Sequence, residues 1–144
     1  MGFHYSDNTN QNPVAVALVS RPKQRLALGD HYGSAFLYAD GSERVSDHSR
    51  EPRPDWMSVD EFCAGHMRSI HNVEYDPQEI KNAMARHAET RRFRNPEAFD
   101  VLTWNCEHSA RYTCQGRAQS HQVQGVGFLL ALCALLYFAE SLDN

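Results

Sequence analysis

The feature that most restricts this chain is a hairpin signal, Asp40-Gly41, set between two strand-like runs. Residues 31–39 (HYGSAFLYA) approach it and residues 42–48 leave it. Glycine readily takes the positive φ that such a tight turn requires. Upstream, residues 13–19 (PVAVALV) form a short valine-rich run typical of a buried strand, ended by Arg21-Pro22. Residues 23–30 read as a loop with apolar anchors at Leu26 and Leu28. Residues 31–48 are thereby expected to pair as a hairpin, with residues 42–48 a weakly patterned return strand.

Helix signals follow. Residues 49–57 carry Pro52, Pro54 and several charges and read as a linker. Ser58-Val59-Asp60-Glu61 is a capping box, in which serine caps the helix and glutamate reaches back to the cap. Val59, Phe62, Cys63, His66, Met67 and Ile70 recur at helical spacing, which predicts a helix reaching Ile70. Asp76-Pro77-Gln78-Glu79 repeats the start signal, with proline at the first helical position. Ile80, Ala83, Met84, His87 and Ala88 then share one face, and Arg91-Arg92-Phe93-Arg94 closes that helix before Pro96. Residues 101–104 suggest a short strand. Asn105 can cap a helix running from Cys106 to about Cys114, with Gly116 as its stop. The organisation expected is a polar arm at 1–13, a domain at 14–124 and an apolar segment at 125–139.

That last segment (GVGFLLALCALLYFA) carries no charge. It falls short of the roughly twenty residues that span a bilayer as a helix, yet is too uniformly apolar for an ordinary surface helix. Two readings stand: attachment to a membrane, or a helix packed on the domain. The formal net charge of −4 gives no overall pull toward nucleic acid or anionic membranes, so binding of that kind must come from a local patch. Arg91, Arg92 and Arg94 around Phe93 are the one basic cluster suited to RNA phosphates, although cations also simply complement a helix C-terminus. The chain has four cysteines, and residues 1–12 are polar with no apolar signal core. Free thiols in a reducing compartment are expected, not disulfides in a secreted protein.

The chemistry concentrates in two places. Cys106, in the first turn of a capped helix, is the candidate nucleophile, because amides and dipole at a helix N-terminus favour a thiolate and can hold an oxyanion. His31, opening a strand, is the candidate base. His108 is an unsuitable partner, since residues i and i+2 of a helix point to nearly opposite sides. A third group normally orients the base. His48 on the return strand is the first choice and Asp47 its competitor; neighbours on a strand face opposite ways, so only one can point at His31. No CxxC or HxxxH spacing suggests a metal, and no cofactor is implied.

His31-Tyr32-Gly33 resembles the H-box, and Asn105-Cys106-Glu107-His108 the NC motif, of the H-box/NC proteins. These are relatives of lecithin:retinol acyltransferase within the NlpC-type cysteine-peptidase superfamily. Arg21-Pro22 before the histidine, Leu102-Thr103-Trp104 before the NC motif, Gly116 and the apolar C-terminal segment extend the likeness over residues 14–139. Some picornaviral 2A proteins carry the same pair of motifs, and the chain is similar to them in its polar arm and length. Ser109 stands where the family usually has an aromatic, and His31 and His48 lie further apart than in the usual H-box hairpin.

The resemblance implies an α+β fold: a small antiparallel sheet carrying the H-box, packed against helices, with Cys106 at a helix N-terminus. It implies a catalytic set of Cys106, His31 and His48. It points first to a viral protein of the host-cell cytoplasm, at membranes, that supports replication through host, viral or RNA partners and retains a Cys–His site. The alternative is a phospholipid acyltransferase or phospholipase forming an acyl-thioester on Cys106.

Overall fold

A computed structural model describes residues 12–23, 29–48, 56–92 and 105–142. The expected loop anchors Leu26 and Leu28, most of the linker, residues 101–104, Arg94, and all but the end of the polar arm lie outside these. The side chains of Arg91 and Arg92 are also outside the described set.

The fold is α+β. Strands β1 (Ala15–Pro22), β2 (Asp30–Leu37) and β3 (Glu43–Asp47) form an antiparallel meander. The β2–β3 turn closes at Gly41, whose φ is +82°, with the Gly41 N–H donating to the Tyr38 carbonyl and the Ser42 N–H to Asp40 Oδ1. Helix α1 (Val59–Cys63) follows, and strand β4 (Ser69–Glu74) then returns to pair with the other side of β1. The sheet order is β3-β2-β1-β4.

Strand β4 corrects the expectation of a helix reaching Ile70. The capping box at Ser58 forms as expected, but Ala64 and Gly65 both take positive φ and stop α1 after Cys63. Ile70 belongs to β4, paired with Val19. The helical spacing of apolar residues therefore broke at a left-handed turn that the sequence marks only by Gly65. β4 is largely exposed, and its register slips between Leu18 and Val19, leaving His71 as the extra residue of a bulge.

Strand alternation gives the sheet two apolar faces. Val16, Leu18, Tyr32 and Phe36 meet Ile80 and Ala83 of α2 (Pro77–Arg92) and Cys106, Ala110 and Cys114 of α3 (Cys106–Gln115). Val19, Ala35 and Val45 meet Met57 and Phe62 on the opposite face. Phe36 and Phe62 are fully buried; each such side chain contributes about 1.5–3 kcal/mol. Asp76 accepts from the N–H groups of Gln78 and Glu79 and so caps α2 behind Pro77.

Helix α4 (His121–Leu142) stands apart from this core. It starts before the apolar run and is 22 residues long, about 33 Å at 1.5 Å per residue. That is enough to cross a hydrocarbon core of about 30 Å. Its window 121–138 has mean hydropathy 1.5, and none of that window is buried; Phe128 is 72% and Tyr137 70% exposed. By length and composition α4 can associate with a membrane. Among the described side chains, those of residues 125–138 are exposed.

Candidate functional site

The two ends of the candidate pair are fixed by different local devices. Cys106 is the first residue of α3 because Asn105 adopts extended backbone and its Oδ1 accepts from the Glu107 and His108 N–H groups at 2.9 and 3.1 Å. His108 completes this cap: its Nδ1 accepts from the Asn105 N–H. Gly116, with φ +69°, ends α3. His31 is held by the sheet, paired with Arg21 across β1–β2, with its ring 5.8 Å from that of Phe62. The Arg21 guanidinium lies over the same Phe62 ring at 5.7 Å.

The structure joins these elements. The side chains of His31 and Cys106 are neighbours that shift each other's titration, and the Tyr32 backbone acts on the sulfur as well. His31 Nε2 lies 2.5 Å from Asp47 Oδ2, so Nδ1 is the ring nitrogen left for Cys106. Asp47 thus takes the orienting place first given to His48. The register explains it: Asp47 is opposite Gly33, two residues from His31 on the same face of the sheet, and the following residue, His48, comes after the strand ends. His48 is buried nearby in the chain but does not carry that bond.

The electrostatics follow from these contacts. Burial opposes a charged His31, yet the hydrogen bonds to Asp47 and Cys106 and their charges outweigh it and push the imidazole up to about 9. Burial likewise opposes a charged Cys106, but the His31 hydrogen bond and charge, the Tyr32 N–H and Lys23 bring the thiol below its usual value. Both shifts favour the thiolate–imidazolium form of the pair over the neutral one. Cys114, further along the same helix, is the contrast: burial pushes it up to about 12 despite Ser34 and Arg86.

Gly33 is the residue whose role sequence reasoning missed beside His31. A Cβ there would stand 2.8 Å from Phe62 Cε2 and 3.0 Å from Val45 Cγ1, so the glycine admits the ring on which His31 rests. Gly33→Ala is expected to destabilise the fold by about 1–3 kcal/mol, the usual cost of overpacking, and to displace Phe62 from His31. Urea unfolding measures the first effect; unchanged stability would show that Phe62 yields freely.

A second missed residue is Glu107. Its carboxylate is fully buried and accepts from Ser120 Oγ (2.7 Å), Arg111 Nε (2.9 Å) and the N–H groups of His121 (3.1 Å) and Gln122 (3.2 Å). Burial acts to raise its pKa, but these donors hold it below the usual carboxylate range. The signal was present in Ser120, a capping residue just ahead of the apolar run. On the sheet side, Ser20 Oγ and His71 Nε2 are 2.7 Å apart, and the His71 ring stacks on Tyr32 at 5.4 Å, so the bulge residue forms part of the same wall.

Among the described residues no group of three or more His, Cys, Asp or Glu side chains is arranged to hold a metal ion. What the arrangement can do is nucleophilic. A thiol of lowered pKa at a helix N-terminus, an imidazole of raised pKa beside it and a carboxylate behind that imidazole are the parts of a cysteine-dependent acyl-transfer centre. The fold and site thus define an α+β protein with a thiol–imidazole–carboxylate chain and an unburied apolar helix. Compared with family models, curated proteins and solved structures, the chain has no match.

Proposed function

We propose that this chain is a membrane-attached protein of the H-box/NC type that transfers acyl groups through Cys106. The observation that carries the reading is the hydrogen bond from His31 to the Asp47 carboxylate, with the Cys106 sulfur electrostatically coupled to that imidazole from the start of α3. The Cys106 thiolate attacks the carbonyl carbon of a lipid ester, and the Cys106 N–H, an orphan donor of the helix start, can stabilise the oxyanion. As the tetrahedral intermediate collapses, the ester C–O bond breaks and His31 gives its proton to the departing alkoxide. A thioester remains. Water or an amine then attacks it, His31 takes the attacking group's proton, and the thiolate is restored. Asp47 holds the imidazole with Nδ1 toward the sulfur throughout. Helix α4 supplies the attachment to the bilayer that contains the ester.

Incubation with phosphatidylcholine vesicles is expected to leave one acyl group on the peptide containing Cys106, seen by mass spectrometry and lost on hydroxylamine treatment. Lysophospholipid should appear in at least equal amount, rising with each turnover. Cys106→Ser should give neither.

The low exposure of Cys106 (4%) and His31 (8%) favours a second reading. In it the protein acts in a host cytoplasm, at membranes, as a viral 2A-type replication protein. It binds host or viral proteins, or RNA through Arg91, Arg92 and Arg94, and the site is retained without turnover. A thiol that alkylates readily but never acquires an acyl group from lipid would support that reading over the first.

A further inference from the structure

The apolar helix is not merely attached to the domain; its first turn touches both halves of the site. Glu107, the residue after Cys106, receives the hydroxyl of Ser120 and the N–H groups of His121 and Gln122. Ser120 Oγ in turn accepts from the Val123 N–H, so the same hydroxyl caps α4 and donates to Glu107. Gln122 then reaches the other half. Its Nε2 donates to the carbonyl of Asp30, the residue before His31, at 3.0 Å. Its amide fills the space beside Gly29, where φ is +100° and any Cβ would fall onto Gln122 Oε1. One turn of helix thus spans from the nucleophile's helix to the base's strand, and a buried carboxylate ties it down.

We infer that Gln122 and Glu107 are positioning residues through which the first turn of α4 sets the placement of Cys106 against His31. Neither touches the reacting atoms. Gln122 fixes the main chain from which His31 departs, and Glu107 fixes α4 to the turn that begins with Cys106. The seating of the apolar helix is therefore part of the geometry of the site, and this inference rests on Cys106 being the reactive thiol.

The test uses the full chain in phosphatidylcholine vesicles. Gln122→Ala removes the bond to Asp30 and empties the space by Gly29; Gln122→Met keeps the bulk and removes the bond. Iodoacetamide labelling of Cys106 is followed against pH by peptide mass spectrometry, with circular dichroism and vesicle flotation as controls. Both variants are expected to label about tenfold more slowly at neutral pH, the scale of a small misplacement of reacting groups. The midpoint of the labelling profile should move up in pH, while helix content and flotation stay as in wild type. A purely structural role would leave that midpoint in place. If Gln122→Ala fails to fold, Gln122→Met decides. Wild-type rates and midpoint in a folded variant overturn the inference while leaving the reactive thiol intact. A wild-type chain in which Cys106 labels no faster than Cys63 overturns the reactive-thiol reading and this inference together.

Discussion

His31→Ala is expected to slow alkylation of Cys106 at pH 7 by about thirtyfold or more. With the imidazole gone, burial is left to act on the thiol, and even an ordinary thiol is only a few per cent thiolate at that pH. Asp47→Asn removes the charge that stabilises the imidazolium and should give an intermediate loss, whereas His48→Gln should leave the rate near wild type. Peptide mass spectrometry after brief iodoacetamide treatment measures all three, with Cys63 and Cys133 as internal comparisons. Wild-type labelling in His31→Ala would end the view that these two side chains act together.

The pH dependence has a definite sign. The His31 pKa is raised from 6.5 to about 9 in the folded protein, so its contribution to stability is complete below 6.5 and is lost as pH rises through about 9. Cys106 is shifted the other way, so its contribution is present above the usual thiol value and is lost as pH falls through the lowered one. Up to the usual thiol value of 9.0, the loss of the His31 contribution with rising pH and the gain of the Cys106 contribution run in opposite directions. Stability contributed by the pair therefore depends on pH less than either contribution alone. The ultraviolet absorbance of the thiolate should persist to lower pH than that of an ordinary thiol.

Deletion of residues 125–144 is expected to abolish cosedimentation with vesicles, lowering the partition coefficient by about a hundredfold or more, because the apolar helix is the only long apolar surface left uncovered among the described residues. The domain should remain folded. Its two apolar clusters draw on the sheet, α1, α2 and α3, and Ser120 and Gln122 stay in place. Cooperative urea unfolding of the truncated chain, set against the full one, measures this. A truncated chain without a cooperative transition would show that α4 belongs to the core after all.

Much of this was legible before any coordinates. The Asp40-Gly41 turn, the Ser58 and Asp76 starts and the Asn105 cap are local signals, and each depends on a few adjacent residues whose hydrogen bonds close within one turn. The hairpin carrying His31 and the cysteine at a helix start followed from them, and the resemblance added the antiparallel sheet. What escaped was set by pairing at long range. β4 is a polar, exposed strand whose existence depends on β1 offering it an edge, and nothing in its own residues opposed a helix until Gly65. The choice between Asp47 and His48 needed the register of β3 on β2, which one residue of slip would reverse. Glu107 looked like a charged helix residue; only the arrival of Ser120 and Gln122 from α4 made burying it tolerable.

The two thiols of α3 have a chemical consequence under oxidative stress. Cys106 and Cys114 lie on one straight helix, about 12 Å apart along its axis. That is beyond the Cα separation a disulfide can bridge. Peroxide would therefore convert the ionised sulfur to a sulfenic acid that its helix neighbour cannot resolve. Recovery would depend on a thiol from outside α3, such as glutathione, reaching the site, and without one the damage would proceed to the irreversible sulfinate.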